Sequence, residues 1–186
     1  PGAEGTARRA ALADALDLKQ FEFNAEGVEL NQRCVSDAVV PDSDAQPEVW
    51  RRDPQLFLQA TTRPGAKIPH AWLVGVDGRR VSTLDLVGKG RFSLVTGLSG
   101  TAWTQAAQRL SVSWLRTVVV GTPGAQDYYY CWHKRREIEE AGALLVRPDG
   151  VVAWRALHAA RDAGDAERQL RSALARILDQ PSLALN

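Results

Sequence analysis

The chain has 186 residues, 45% apolar and 24% charged, an ordinary balance for about one folded domain. Its 23 basic and 22 acidic side chains leave a net charge of +1, so no bulk field recruits nucleic acid or an anionic membrane. The longest uncharged stretch, Phe92 to Gln108, is broken by Ser, Thr, Gly and Gln and reads as no membrane span. Two cysteines, Cys34 and Cys131, give neither a disulfide framework nor a zinc knuckle and fit a reducing cytoplasm. Arg8 and Arg9 do not open a secretory signal, because Asp14 and Asp17 fall where its apolar run belongs. The sequence holds no methionine and opens on Pro-Gly-Ala-Glu, from which we expect a piece cut from a longer polypeptide.

Good helix formers over Ala7–Phe23, with Leu12 and Leu16 four apart, predict a helix. Its thin, Ala-rich apolar stripe suits packing against a larger body. Gly27 ends that region, and Val28–Val40 reads as one or two extended segments stopped by Pro41. Between 41 and 69 lie five prolines (Pro41, Pro47, Pro54, Pro64 and Pro69). Each fixes φ and removes a donor, so this stretch reads as an ordered linker and the main domain boundary.

Regular patterning follows. Ala71–Val76 and Arg80–Leu86 flank Asp77-Gly78, a hairpin signal. Arg91–Thr96 predicts a strand. Ser99 or Thr101 caps a helix that puts Trp103, Ala106, Ala107 and Leu110 on one face. Trp114–Val120 reads as a fully buried strand, apolar on both faces apart from Arg116 and Thr117, and residues 126–140 as partly helical, ending in Glu137–Glu140. Ala143–Val146 and Val151–Trp154 form a hairpin around Arg147-Pro148-Asp149-Gly150. Asp165 caps a last helix with Leu170, Ala173, Leu174, Ile177 and Leu178 on its apolar face, and Pro181 stops it. The fold class is α/β. A βαβ unit, then a β-hairpin and a terminal helix, is the thioredoxin-like core.

That fold performs redox chemistry with Cys-x-x-Cys at the start of its first helix, where the helix N-terminus lowers a thiol pKa. The corresponding stretch, Leu98–Trp103, has no cysteine, and the Ser99 hydroxyl neither ionises near neutrality nor forms a disulfide. Other motifs break on single residues. Around Gly88-Lys89-Gly90 a phosphate loop would need Gly at Thr83 and Ser or Thr at Gly90; a dinucleotide loop would need Gly at Ser93. Gly97-Leu98-Ser99-Gly100 meets Thr101 where a nucleophile elbow needs glycine. Cys131 and His133 lack a second ligand pair; His70 and His158 would have to come from far away, so no metal site is assigned. Trp103, Trp114 and Trp154 sit on periodic apolar faces and read as core. Tyr128–Trp132 reads as an interface cluster, with Tyr129, Tyr130 and Trp132 its candidate residues. Arg147 and Arg155 flank the second hairpin and read as solvated, or paired with Asp149 and the terminal helix.

Three strings carry a family resemblance: Gly27–Val40 (GVELNQRCVSDAVV), Arg63–Leu73 (RPGAKIPHAWL) and Gly142–Arg155 (GALLVRPDGVVAWR). Together they resemble the C-terminal third of flavin-dependent aromatic-ring hydroxylases, of the phenol and 2,4-dichlorophenol 6-monooxygenase type. The resemblance runs in order over nearly the whole chain. It implies a parent enzyme that binds FAD, takes electrons from NADPH and hydroxylates a phenol beside its existing hydroxyl. It also implies a C-terminal thioredoxin-like domain without redox cysteines. The family's dinucleotide fingerprint, second flavin motif and substrate pocket have no counterpart in these residues. Cys34 and Cys131 stand where the family often has an aromatic and an acidic residue.

The combined expectation has three parts: residues 1–40 a remnant of the flavin domain, 41–69 a Pro-rich linker, and 70–186 a redox-inactive thioredoxin-like domain. No catalytic, cofactor or metal residue is assigned to the chain itself. FAD and NADPH belong to the parent, and the expected setting is cytoplasmic. Expected partners are the upstream flavin domain and further copies of the chain, with neither nucleic acid nor membrane. Pro64, Gly65, Pro69 and His70 are the candidates for touching the flavin domain; the plainer reading of His70 is a hydrogen bond that fixes the linker. A stand-alone oligomerisation module and a thioredoxin-type redox protein are the alternatives.

Overall fold

The computed structural model describes residues 2–43 and 46–184. The chain forms two compact units, Pro1–Gln32 with Pro47–Gln59, and Arg33–Gln46 with Ala60–Asn186. These boundaries differ from an uninterrupted linker over 41–69: residues 47–59 fold with the first unit and 60–69 with the second.

In the first unit, α1 (Ala3–Phe23) is longer than the expected helix by four residues at its start. Exposed Glu4–Arg8 and Lys19–Glu22 pairs line it, and none of its residues is buried. Leu12, Leu16 and Phe23 stand exposed. Where an extended segment was expected, the chain makes the short helix α2 (Glu26–Leu30) and then runs irregularly. Gly27 allows this, since a Cβ there would fall 2.0 Å from the Pro54 carbonyl oxygen. Asn31 completes the unit. Its amide donates to the Pro54 and Phe57 carbonyls (2.7 and 2.8 Å) and its Oδ1 accepts from Gln59 N.

The second unit begins its regular structure with the hairpin β1 (Trp72–Val74) and β2 (Arg80–Ser82), turned at Gly78 with φ +75°. A single helical turn, α3 (Thr83–Leu86), follows, held by a Ser82–Asp85 capping box. Then come β3 (Phe92–Gly97), α4 (Thr101–Leu110), β4 (Leu115–Val120), β5 (Ala143–Val146), β6 (Val152–Ala156) and α5 (Ala163–Ile177). The sheet order is β4-β3-β5-β6, with β3 and β4 parallel and the other neighbours antiparallel. It is a mixed α/β architecture.

Both faces of the sheet are covered, which is why β3 and β5 are buried without alternation. On one face Leu94 and Leu145 meet Trp103, Leu110, Leu170 and Leu174 of the two packed helices. On the other, Val95, Leu144 and Val146 meet Ile68, Leu73 and Trp132, supplied largely by irregular segments. Residues 60–69 are therefore core material rather than a connection: Thr62, Ala66 and Ile68 are buried. They also line the outer edge of β6. Gly65 N donates to Val152 O, Val152 N to Ala66 O, and Ile68 N to Gly150 O, while Val40 N reaches Ala153 O. Prolines forbid a full strand here, yet isolated donors between them still satisfy the edge.

Four further expectations are corrected. Gly100, not Ser99 or Thr101, is the N-cap of α4. β4 is an edge strand whose Arg116 and Thr117 are exposed. Residues 126–140 form turns instead of a helix, because Tyr130 and Glu137 take left-handed φ values of +54° and +49°. Asp162 caps α5, its carboxylate accepting from Asp165 N.

Asp165 itself is buried in the first turn of α5. Its carboxylate accepts the Arg161 backbone N–H, the Arg161 and Arg168 guanidinium groups, and Gln169 Nε2. The Arg161 N–H first, then its guanidinium, hold the carboxyl below its ordinary value of 3.8. A carboxyl more acidic in the fold than in the unfolded chain stabilises above its unfolded pKa, and the gain disappears as pH falls through the lowered value. Asp165→Asn is expected to lose stability at neutral pH and to show a shallower further loss below about pH 4. Urea midpoints of both proteins across that range check it; parallel acid limbs would contradict the assignment.

Candidate functional site

The turn from β3 into α4, Gly97–Gly100, is where a βα unit presents chemistry or a phosphate. Its glycines are there for close contact: a Cβ on Gly97 would fall 2.2 Å from Glu140 Oε1, and one on Gly100 would fall 1.8 Å from Thr96 Oγ1. The turn is already supplied with an anion. Glu140 Oε1 accepts from Leu98 N at 2.8 Å, Glu140 O accepts from Gly97 N, and the Glu140 carboxylate pairs with the buried Arg136 guanidinium. A dinucleotide pyrophosphate brought to this turn would meet that carboxylate, so these residues do not fit FAD. Neither cysteine lies in the turn. Cys131 packs half-buried against the core beside Trp132, and Cys34 receives a 3.6 Å contact from Arg147 Nη1. Among the described residues no group of three or more His, Cys, Asp or Glu could hold a metal ion.

Beside the turn lies a cleft of about 280 Å³ whose walls include Leu98, Gly121, Tyr128, Tyr130, His133 and Glu140. Asp127 shapes its rim by accepting the Trp132 and His133 backbone N–H groups. Tyr128, Tyr129 and Tyr130 are 63–73% exposed, and the His133 ring meets Tyr130 edge-on at 5.7 Å. Trp132 departs from this cluster. It is 2% exposed and belongs to the core under the sheet, so its grouping with the interface tyrosines is corrected.

The segment with Pro64, Gly65, Pro69 and His70 is continuous, but its two ends serve different neighbours. Gly65, at φ +94°, lies against Cys34, whose N donates to Gly65 O at 2.8 Å, and a Cβ there would fall 2.5 Å from Cys34 O. At the other end Pro69 O accepts from Thr83 Oγ1, which also accepts from Ala71 N. His70 Nδ1 lies 2.8 Å from Ser82 Oγ, and its exposed ring stands edge-on to Trp72 at 4.7 Å. That hydrogen bond is directed at the first hairpin.

A constellation that the sequence reading missed joins these parts. The Arg155 side chain, 7% exposed, gives Nε and Nη2 to the Asp42 carboxylate and Nη1 to Thr62 Oγ1 and Glu137 Oε2. Glu137 Oε2 also accepts from Thr61 Oγ1 and Thr62 N, at 2.6 and 2.9 Å. Arg155 is therefore a buried tie, not a solvated flank. Arg147 does pair with Asp149, as expected, at 2.6 Å. Burial pushes the Asp149 carboxyl up, but the Arg147 guanidinium and the Val151 N–H outweigh it and hold it below its ordinary range. The signal for Arg155 was its place in the VAWR string; its partner Asp42 lies 113 positions away. Arg155→Ala would strand the Asp42 charge and is expected to cost roughly 3 kcal/mol, with a smaller loss for Arg155→Lys, which keeps the charge but not the fork. Denaturant midpoints of the two variants check the order.

Comparison with known proteins now places the chain. The family described as aromatic-ring hydroxylase, C-terminal, matches residues 61–181. A 2,4-dichlorophenol 6-monooxygenase of Delftia acidovorans is 47% identical over 94% of this chain and 30% of its own length. A phenol 2-monooxygenase of Pseudomonas sp. (strain EST1001) is 44% identical over 82% of this chain and 26% of its own. The crystal structure of the flavin-dependent monooxygenase PieE, solved with FAD and substrate, superposes with a TM-score of 0.83 at 44% identity. It covers 97% of this chain with 31% of its own. The chain thus spans about 30% of the length of the curated relatives it matches. By both the family match and this identity, it belongs to the aromatic-ring hydroxylases, of whose C-terminal region it is an example.

Proposed function

We propose that this chain is the accessory C-terminal part of an FAD- and NADPH-dependent phenol-type monooxygenase and carries none of the electron-transfer machinery itself. The cofactor of such an enzyme supplies the oxygen chemistry, and the protein supplies positioning and solvent exclusion. In this reading the second unit is a redox-inactive thioredoxin-like domain. The order strand, helix, strand, hairpin, helix over 92–177 supports that, as does the strand order β4-β3-β5-β6. The observation that carries the proposal is the β3–α4 turn. It holds no cysteine, and the chain's own Glu140 carboxylate accepts its Leu98 N–H.

The role is scaffold and contact. The flavin domain upstream in the same polypeptide is the first partner, and the exposed Leu12, Leu16 and Phe23 of α1 are apolar surface suited to it. Pro64, Gly65, Pro69 and His70 would set the approach of the second unit to that domain through their fixed backbone. A second copy of the chain is the other partner. The near-neutral charge supports a reading without nucleic acid or membrane, and the two free cysteines fit the cytoplasm. No described helix is long and apolar enough to cross a membrane.

The test mixes FAD, NADPH and 2,4-dichlorophenol with this chain and, separately, with a full-length relative. The chain alone is expected to retain no flavin after gel filtration and to consume no NADPH, while the full-length enzyme does both. Flavin retained by the chain alone would overturn the proposal.

A further inference from the structure

The aromatic segment of the second unit is held at both ends and bent in the middle. At its start Gln126 and Val74 exchange backbone hydrogen bonds, N–H to carbonyl in both directions. At its end Trp132 is sealed in the core under the sheet. Between them the Asp127 carboxylate accepts the Trp132 and His133 N–H groups, Asp127 O accepts from Tyr130 N, and Tyr130 O accepts from Lys134 N. This places Tyr130 at φ +54°, a left-handed conformation that a bulky side chain adopts only where its surroundings impose it. The strain secures no burial for the rings, since Tyr128 and Tyr130 stay exposed. It presents them, already ordered, to the cleft beside the β3–α4 turn.

We propose that this cleft is a recognition site for a guanidinium group, the side chain of an arginine on a partner segment. The proposal goes beyond the contact role given above and rests on no flavin chemistry. Aromatic faces carry negative potential, and a cation within about 6 Å of a tyrosine ring is attracted to it. Tyr128 and Tyr130 line the cleft together with two carboxylates, Asp127 and Glu140. The guanidinium among its walls, Arg136, is turned inward: its side chain is 11% exposed, against 43% for the Glu140 with which it pairs. The charge shown to solvent is therefore negative.

The neighbouring cations leave that charge in place. Lys134 and Arg135 are not among the walls, and Arg135 Nη1 turns back to Cys131 O. Acceptor capacity also remains. Each Asp127 oxygen takes one N–H, as Glu140 Oε1 does from Leu98, and a carboxylate oxygen accepts two. A planar guanidinium stacks on a ring and forks a carboxylate at once, which a compact ammonium does not. The volume of about 280 Å³ lies just below the range of drug-sized sites, about 300–1,000 Å³, and suits one long side chain.

Titration of the 186-residue chain with N-acetyl-arginine amide, followed by nuclear magnetic resonance of its backbone amides, tests this. Saturable shifts are expected at Leu98 and over Tyr128–His133 at millimolar concentration. The citrulline amide, equal in shape and without the charge, should bind at least roughly fivefold more weakly. Tyr128→Phe keeps the ring face and should hold the affinity within about twofold, whereas Tyr128→Leu should lose roughly fivefold. Tyr130→Gly takes the left-handed φ without strain, so affinity should fall while the urea midpoint stays level or rises. Absence of saturable shifts overturns the proposal, as does equal binding of the two amides. So does a Tyr128→Leu chain that binds as Tyr128→Phe does, or a Tyr130→Gly chain that keeps its affinity. Should a variant fail to fold, the pair of amides on the unsubstituted chain decides.

Discussion

A buried guanidinium is a demanding object, and the second unit is organised around one. Arg155 lies on β6 with its side chain almost out of solvent, so every N–H of its fork needs an acceptor and its charge needs an anion. Asp42 answers with both carboxylate oxygens, and Glu137 and Thr62 take the remaining contacts. Those three partners come from three irregular stretches that have no ladder to hold them. The stretch containing Asp42 also places Val40 N on Ala153 O; that containing Thr62 continues into Gly65 and Ala66, which pair with Val152. The buried charge and the covered edge of β6 therefore require one another. Without the tie, the irregular segments keep only their backbone bonds to that edge and their own burial; without the segments, the guanidinium is uncompensated.

This coupling explains what could be read from the amino-acid order and what could not. The elements with local signals were legible: Gly78 and Gly150 turn their hairpins with φ +75° and +85°, and the apolar spacing of α4 and α5 places Trp103, Leu110, Leu170 and Leu174 in one core. The coverings of the sheet carry no periodicity, because their bonds join residues far apart in sequence, as Val40 does with Ala153 and Gly65 with Val152. Prolines at 41, 64 and 69 looked like a connection for the reason that they exclude a strand. They do not exclude isolated donors between them. Residues 126–140 misled in the opposite way: their composition permits a helix, and the left-handed Tyr130 and Glu137 that prevent one are not glycines and give no warning. Trp132 looked like part of an aromatic surface because its burial is decided by the sheet face above it, not by its neighbours Tyr129 and Tyr130.

The candidate site was legible as a turn without cysteine, and the structure adds what stands there instead. A helix N-terminus with unsatisfied N–H groups favours negative charge, and in redox enzymes of the thioredoxin type that preference stabilises a thiolate. Here Glu140 brings its carboxylate to Leu98 N, just ahead of α4, and Arg136 pairs with it. The turn's affinity for an anion is met from within the chain. Two glycines make room for the arrangement, Gly97 against Glu140 and Gly100 against Thr96. A carboxylate in that place would also oppose ionisation of a neighbouring thiol, because two like charges a few ångströms apart disfavour one another. Restoring a cysteine pair to residues 98–101 would not by itself restore a low-pKa nucleophile.

The same logic bears on the accessory role. A domain that acts catalytically keeps its polar groups open to a reacting partner, whereas one that acts as a support closes them internally. In the second unit the strongest polar groups are closed: Arg155 on Asp42, Arg136 on Glu140, Arg147 on Asp149, and Asp165 among Arg161, Arg168 and Gln169. Beside exposed charges such as Arg116, the open surface includes the tyrosine rings at 128–130 and the outward backbone of β4. Such surfaces recognise shape and backbone rather than transfer electrons. A fold whose buried charges are paired within the chain and whose rings and strand edge face out is suited to hold other parts of an enzyme in place, which is the role proposed for it.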